Sequence, residues 1–233
     1  MRTTLVTGAN RGIGLALVKT LLSRGDKVIA TSRDPGGAIE LTKLASGSSL
    51  TVLPLAVTDA ASVAAFATAV ETLVGSKGLD VLINNAGIIG PRIGTAAEPM
   101  DFEAFAETLA VNTLGPLRVT QALLPLLRRA KGAKVLTISS AMGSMSHSRS
   151  DRIAYRASKA AVNKVMQGLA SDLAAEGIAV AVAHPGWVRT DMGGSGADIS
   201  PDESARGLSG VIDALKPNPA GAFFNWSGEA LPW

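Results

Sequence analysis

Thr7-Gly8-Ala9-Asn10-Arg11-Gly12-Ile13-Gly14 follows the apolar run Thr3-Thr4-Leu5-Val6 and leads into a helical pattern at Leu15, Val18, Leu21 and Leu22. Strand, glycine turn and helix thus stand in the order that a dinucleotide requires. Gly8 permits a tight turn, Gly12 lets a pyrophosphate approach the backbone, and Gly14 lets the helix pack closely on the strand. The first N–H groups of such a helix have no partner within it and attract phosphate. Glycine triplets also arise by chance, so a plain strand-to-helix turn stands as the alternative until the rest of the chain is read.

Composition narrows the classes. A chain of 233 residues with 47% hydrophobic and only 4% aromatic residues suits one large aliphatic core, as in a parallel sheet covered on both faces. No apolar run reaches the length of a membrane span, and the first strand begins close behind Met1, so neither a membrane segment nor a signal peptide is expected. The absence of cysteine removes disulfides and thiol chemistry, and a cytoplasmic location follows as the expectation. Net charge is only +3, and the basic cluster Arg128, Arg129, Lys131 and Lys134 falls at a predicted helix C-terminus, which argues against nucleic acid. Two histidines, His147 and His184, argue against a metal site.

Strand and helix patterns alternate to the end of the chain, which predicts a parallel sheet with right-handed crossovers. The second strand is read at 27–31 and the third at 50–55, where Pro54 cannot donate to a ladder and so marks an edge. Asp59 reads as the N-cap of the next helix. The fourth strand, 80–83, runs into Asn84-Asn85-Ala86-Gly87, and the polar stretch Pro91 to Asp101 reads as a loop. A long helical segment, 102–128, is interrupted near Gly115-Pro116. A fifth strand at 134–138 precedes Ser139-Ser140, and Tyr155 to Lys159 opens a helix read at 160–175. A sixth strand, 179–183, precedes His184-Pro185-Gly186-Trp187-Val188-Arg189-Thr190, and 193–200 lacks a packing pattern and reads as a mobile lid. The last helix starts at Pro201 and a seventh strand lies within 221–226.

Two further readings concern chemistry. After the second strand stands Ser32-Arg33 where an acid would hold a ribose hydroxyl; Arg33 and Arg11 together suit a 2'-phosphate, so NADP(H) is expected in preference to NAD(H). Tyr155 and Lys159 are spaced to share a helix face, where an ammonium favours the phenolate. Such a pair also occurs by accident, although Tyr155 is the sole tyrosine of the chain.

These motifs, in this order and over essentially the whole chain, resemble the short-chain dehydrogenase/reductase family. Thr-Gly-Ala-Asn-Arg-Gly-Ile-Gly, Pro-Gly-Trp-Val-Arg-Thr-Asp-Met-Gly-Gly and the ending Leu-Pro-Trp resemble its C-factor and sniffer-type carbonyl reductase branch. The resemblance implies an α/β, single Rossmann-fold domain over 1–233, a doubly wound parallel sheet of seven strands in the order 3-2-1-4-5-6-7 with helices on both faces. It implies cofactor contacts from Gly8, Asn10, Arg11, Gly12, Ile13, Gly14, Arg33, the Val57 backbone, Asn84, Ala86, Gly87, Tyr155, Lys159, Pro185, Gly186, Val188 and Thr190. The family usually has an aspartate where this chain has Ala56, so the adenine contact of that carboxylate is missing or supplied otherwise. The implied catalytic set is Ser140, Tyr155, Lys159 and Asn112. In it Tyr155 donates a proton to a carbonyl oxygen that Ser140 steadies, Lys159 grips the nicotinamide ribose, and Asn112 holds a water that links the relay to solvent. Adjacent serines of an extended chain face opposite ways, and the family pattern uses the second. The polar stretch 144–152 is expected to border a small-molecule ketone or aldehyde substrate; His147, Arg149 or Arg152 could meet an acidic or polar group there, but a solvated loop is the plainer reading of all three. A homodimer or homotetramer is the family's usual assembly. A nucleotide sensor on the same fold is the competing class, and retention of Ser140, Tyr155 and Lys159 argues against it.

Overall fold

The computed structural model describes residues 1–45, 49–91 and 95–233. Its seven strands are β1 (Thr3–Val6), β2 (Lys27–Ser32), β3 (Leu50–Pro54), β4 (Val81–Asn84), β5 (Lys134–Ile138), β6 (Ala179–His184) and β7 (Phe223–Asn225). All pair in parallel, in the order β3-β2-β1-β4-β5-β6-β7. Pro54 ends β3 at the sheet edge, where no ladder bond is lost. The helices are α1 (Gly12–Ser23), α2 (Ile39–Ala45), α3 (Ala60–Val74), α4 (Phe102–Leu109), α5 (Gly115–Arg129), α6 (Ile153–Leu173) and α7 (Pro201–Ala214).

Alternation along the strands divides the core. Leu5, Ile29, Leu82, Val135 and Val180 face α3, α5 and α6, where they meet Phe66, Val70, Leu123, Leu127 and Met166. Their neighbours Val6, Val28, Ile83, Leu136 and Ala181 face α1 and α7, where they meet Leu17, Leu21, Leu208 and Ile212. Both faces are dry, so the strands read as continuous apolar runs. Strand ends consequently carry the polar residues.

Three expectations change. The long helical segment is broken by a π-helical turn at Ala110–Leu114, before Gly115-Pro116. Helix α6 begins at Ile153, so Tyr155 and Lys159 lie inside its first turns. The segment 193–200 is tied down: Arg189 N donates to Ile199 O at 2.9 Å, Ile199 N to Trp187 O at 3.1 Å, and the Arg189 guanidinium holds the carbonyls of Ala197 and Asp198. These bonds come from backbone groups and one guanidinium across the loop, which no hydrophobic pattern reveals. Of the Pro91–Asp101 loop, Arg92, Ile93 and Gly94 lie outside the described residues.

Candidate active site

The carboxyl ends of the strands open onto one groove of about 940 Å³, at the upper end of the usual range for ligand clefts, about 300–1,000 Å³. Gly8, Asn10, Arg11, Gly12 and Ile13 line it behind β1, and Ser32, Arg33 and Asp34 behind β2. Leu55 to Thr58 line it behind β3, Asn85 to Ile88 behind β4, Ser139 behind β5, and Pro185, Thr190 and Asp191 behind β6. Tyr155 and Lys159 of α6 close the opposite end from Arg33.

The turn is built by close packing. Gly8 has φ 62°, and a Cβ there would lie 2.8 Å from Ala86 Cα, so only glycine fits. Thr7 then fixes the facing segment: its Oγ1 accepts from the N–H groups of both Asn85 and Ala86 at 3.0 Å. The Asn85 amide donates to the carbonyls of Thr7 and Gly8 at 2.9 Å each. Asn84 points the other way. Its Nδ2 donates to Thr120 and Thr137, inside the core, so it joins β4 to α5 and β5 and does not reach the groove. Strand alternation is the reason, and Asn85 is the residue of the pair that sequence reading passed over. Gly14, Asn112, Ser140, Gly186 and Val188 likewise do not line the groove.

Several features of this groove fit a dinucleotide. The first turn of α1 has no side-chain cap and no acid, which leaves the N–H groups of Gly12, Ile13 and Gly14 for an anion. A Cβ on Gly87 would lie 3.2 Å from Asn112 Oδ1 and 3.7 Å from Lys159 Nζ, so the glycine keeps that wall open. Two guanidiniums, Arg11 and Arg33, flank the far end. Arg11 also bonds Asp191, an acid that the sequence reading quoted without a role. Behind Ala56, the backbone N–H is held by Ser62 Oγ at 3.0 Å, and Arg118 holds the Val57 carbonyl at 2.8 Å.

At the other end four polar side chains converge. Ser140 caps the short turn after β5, its Oγ accepting from Met142 N at 3.1 Å while hydrogen-bonding the Tyr155 hydroxyl. Ser139 lines the groove, and its Oγ donates to Asn163 Oδ1 at 2.5 Å. Lys159 Nζ donates to Ile138 O at 2.8 Å and lies 5.7 Å from the centroid of the Tyr155 ring. Asn112, in the π-helical turn, accepts from Ile88 N at 2.9 Å and donates to Ile88 O and Ser158 Oγ. Both Nδ2 protons are therefore used within the protein, and the side chain clamps the segment after β4.

Burial dominates the electrostatics. It pushes the Tyr155 hydroxyl above its ordinary 10.0, against the pull of the Ser140 hydrogen bond and the Arg152 charge. This reverses the sequence expectation that the Lys159 ammonium would lower it. Lys159 is itself pulled from 10.5 to about 8 by burial. His184, at the end of β6, is held near 4 for the same reason, and its buried Nδ1 has no partner.

A doubly wound sheet with a glycine turn, an uncapped helix and a buried Tyr-Lys-Ser cluster defines a nucleotide-dependent oxidoreductase architecture, and the chain belongs to the short chain dehydrogenase family, whose model matches residues 2–198. Within it, the chain falls in the C-factor and sniffer-like branch. It is 44% identical to the C-signal of Myxococcus xanthus over 166 residues, 71% of this chain and 99% of that protein. Among solved structures it resembles the NADPH-bound carbonyl reductase from chicken fatty liver, with 40% identity, a TM-score of 0.93, and coverage of 100% and 99% of the two chains. It also resembles the carbonyl reductase Sniffer of D. melanogaster, with 33% identity, a TM-score of 0.94 and full coverage of both chains. Among the described residues no helix is long and apolar enough to cross a membrane.

Proposed function

We propose that this chain reduces a ketone or aldehyde with NADPH, with the reverse oxidation of an alcohol open to the same site. The observation that carries the proposal is the buried Tyr155 hydroxyl bonded to Ser140 beside the Lys159 ammonium, at one end of a groove whose other end carries Arg11 and Arg33. When bound, the reduced nicotinamide supplies the hydride. The uncapped N–H groups of α1 would hold the pyrophosphate, the two arginines a 2'-phosphate, and Lys159 a ribose hydroxyl.

The chain's own part is the proton. Because burial raises its pKa, Tyr155 stays protonated at neutral pH and is available as a donor to the carbonyl oxygen. Ser140 Oγ, already bonded to that hydroxyl, can hydrogen-bond the same oxygen as negative charge develops on it. Once the proton has left, the ammonium of Lys159 and the guanidinium of Arg152 favour the phenolate. Asn112 acts by position: its clamp on Ile88 holds the wall formed by Ala86 and Gly87 against the reacting end.

The test is NADPH oxidation by purified protein over a panel of aldehydes, ketones and diketones, with NADH and Tyr155→Phe alongside. Tyr155→Phe should bind NADPH with unchanged affinity by fluorescence titration and lose about 10²–10⁴-fold in kcat/KM, the usual contribution of a positioned acid. Undiminished turnover in that variant would remove Tyr155 from the chemistry. Exposed Phe102 and Leu114, on the segment from α4 to α5, support a homo-oligomer through that surface. Light scattering after size exclusion should give a dimer or tetramer; a monomer at micromolar concentration would refute it.

A further inference from the structure

Helix α6 carries a further polar residue in line with Tyr155 and Lys159. Asn163 follows Lys159 at the same spacing as Lys159 follows Tyr155, so the three share one face of the helix. Asn163 is only 3% exposed, and the proton transfer described above makes no use of it. Its Oδ1 accepts from Ser139 Oγ at 2.5 Å, and its Nδ2 donates to Gly143 O at 3.4 Å. Ser139 and Gly143 bracket Ser140: the first precedes it directly, and the second closes the short turn Ala141–Gly143 that Ser140 caps. Inside that turn Gly143 N donates to Ser140 O at 2.9 Å, and Met142 N to Ser140 Oγ at 3.1 Å. The turn lies directly on α6, since a Cβ on Gly143 would come within 2.7 Å of the Lys159 carbonyl carbon. Arg156 of the same helix adds a long contact to Met142 O, at 3.5 Å.

One buried amide therefore ties both ends of the segment that carries Ser140 to the helix that carries Tyr155 and Lys159. A serine hydroxyl rotates to suit its partners, so the place of its oxygen depends on the backbone beneath it. A buried amide whose acceptor and donor are both engaged makes such a backbone rigid. We propose that Asn163 is a positioning residue: it sets where Ser140 Oγ stands against the Tyr155 hydroxyl, and so how well Ser140 steadies the carbonyl oxygen. This rests on the reductase reading above. A donor aimed at developing charge acts through its place, and a small displacement costs more in turnover than in binding.

The test reads Asn163→Leu, which keeps the size of the side chain and removes both bonds, alone and combined with Ser140→Ala. Asn163→Leu should lower kcat by about 10–10²-fold, less than the full loss of a donor to the transition state, with KM and NADPH affinity near native. In the Ser140→Ala background it should cost nothing further, because an effect exerted through Ser140 vanishes with its hydroxyl. A merely structural role would lower kcat by the same factor in both backgrounds, and that outcome overturns the proposal. Tyr155 is the sole tyrosine of the chain, so labelling with 3-fluorotyrosine gives one fluorine NMR resonance that reports its hydroxyl without turnover. Ser140→Ala should move that resonance by removing a hydrogen bond from the hydroxyl, and Asn163→Leu should move it in the same direction. A resonance that Ser140→Ala moves and Asn163→Leu leaves in its native place overturns the proposal. Ser139→Ala breaks one of the two bonds and leaves α6 untouched, and it is read in the same two ways should the leucine variant not fold. If no carbonyl compound is reduced, the reductase reading fails by itself while the fluorine resonance still decides Asn163.

Discussion

Lys159 is a buried ammonium whose only hydrogen-bond partner among the described residues is the carbonyl of Ile138, and its pKa falls from 10.5 to about 8. The sign of its effect on stability follows. Below about pH 8 both folded and unfolded chains hold the proton, and the fold bears the full cost of burying the charge, about 3 kcal/mol. Between about 8 and 10.5 the unfolded chain binds more protons than the folded one, so this group makes stability rise with pH over that window. Lys159→Met should therefore raise Tm at pH 7 by about 6–12 °C without cofactor, an advantage that shrinks towards pH 10, while carbonyl reduction is lost. A lower Tm at pH 7 would refute the burial account. The same scale shows what sequence spacing cannot supply. Tyr155 and Lys159 are on one face, as their spacing requires, yet the direction of the tyrosine's shift is set by burial, which depends on the packing of loops.

Elements were legible where pattern and chemistry agreed. The glycine turn, the edge proline and the Asp59 cap all follow from local rules, and the structure carries each of them, whereas the choice of Ser140 over Ser139 comes from the family resemblance alone. The start of α6 was not legible, because Arg152 is no side-chain cap and enters the helix from a left-handed conformation. The bonds of the loop behind β6 were not legible either: Trp187 and Arg189 bond residues 197–199, and one ion pair bridges from Asp191. That pair, between Arg11 and Asp191, links this loop to the first residue before α1 across the groove. Both side chains are largely exposed, so the pair itself is weak. An incoming 2'-phosphate would compete with Asp191 for Arg11 and be repelled by its carboxylate. Asp191→Asn should tighten NADPH binding about threefold and leave NADH unchanged, the scale of an exposed pair. Arg11→Ala should weaken NADPH selectively. Fluorescence titration of both nucleotides measures this, and weaker NADPH binding by Asp191→Asn would mean that the acid positions Arg11 instead.

Across the whole molecule, the two ends of the sheet do different work. The carboxyl ends carry uncapped N–H groups and a buried ammonium, each a cost to the fold. The amino ends carry a connected cluster of paired charges. Thr4 and Arg2 both bond Asp26, Asp80 accepts from Thr3 N at 2.7 Å, and Arg2 and Arg24 meet at Asp213 on α7. Lys134 at the start of β5 donates to the carbonyls of Ile212 and Asp213, which closes the same cluster. None of this was legible in sequence, because its members come from five separate elements and share no motif. The division predicts opposite behaviour at the two ends. Asp213→Asn removes one acid from two arginines, a loss of about 1 kcal/mol for partly exposed pairs, which lowers Tm by about 2–4 °C. Since every atom involved lies at the far end of the strands from Tyr155, kcat/KM and NADPH affinity should stay as in the native protein. Thermal scans and steady-state rates on Asp213→Asn and Lys159→Met decide the matter together: one variant should lose stability and keep activity, the other gain stability and lose activity. A fall in both quantities for Asp213→Asn would mean that the sheet transmits strain between its ends, and the separation of stability from chemistry argued here would be wrong.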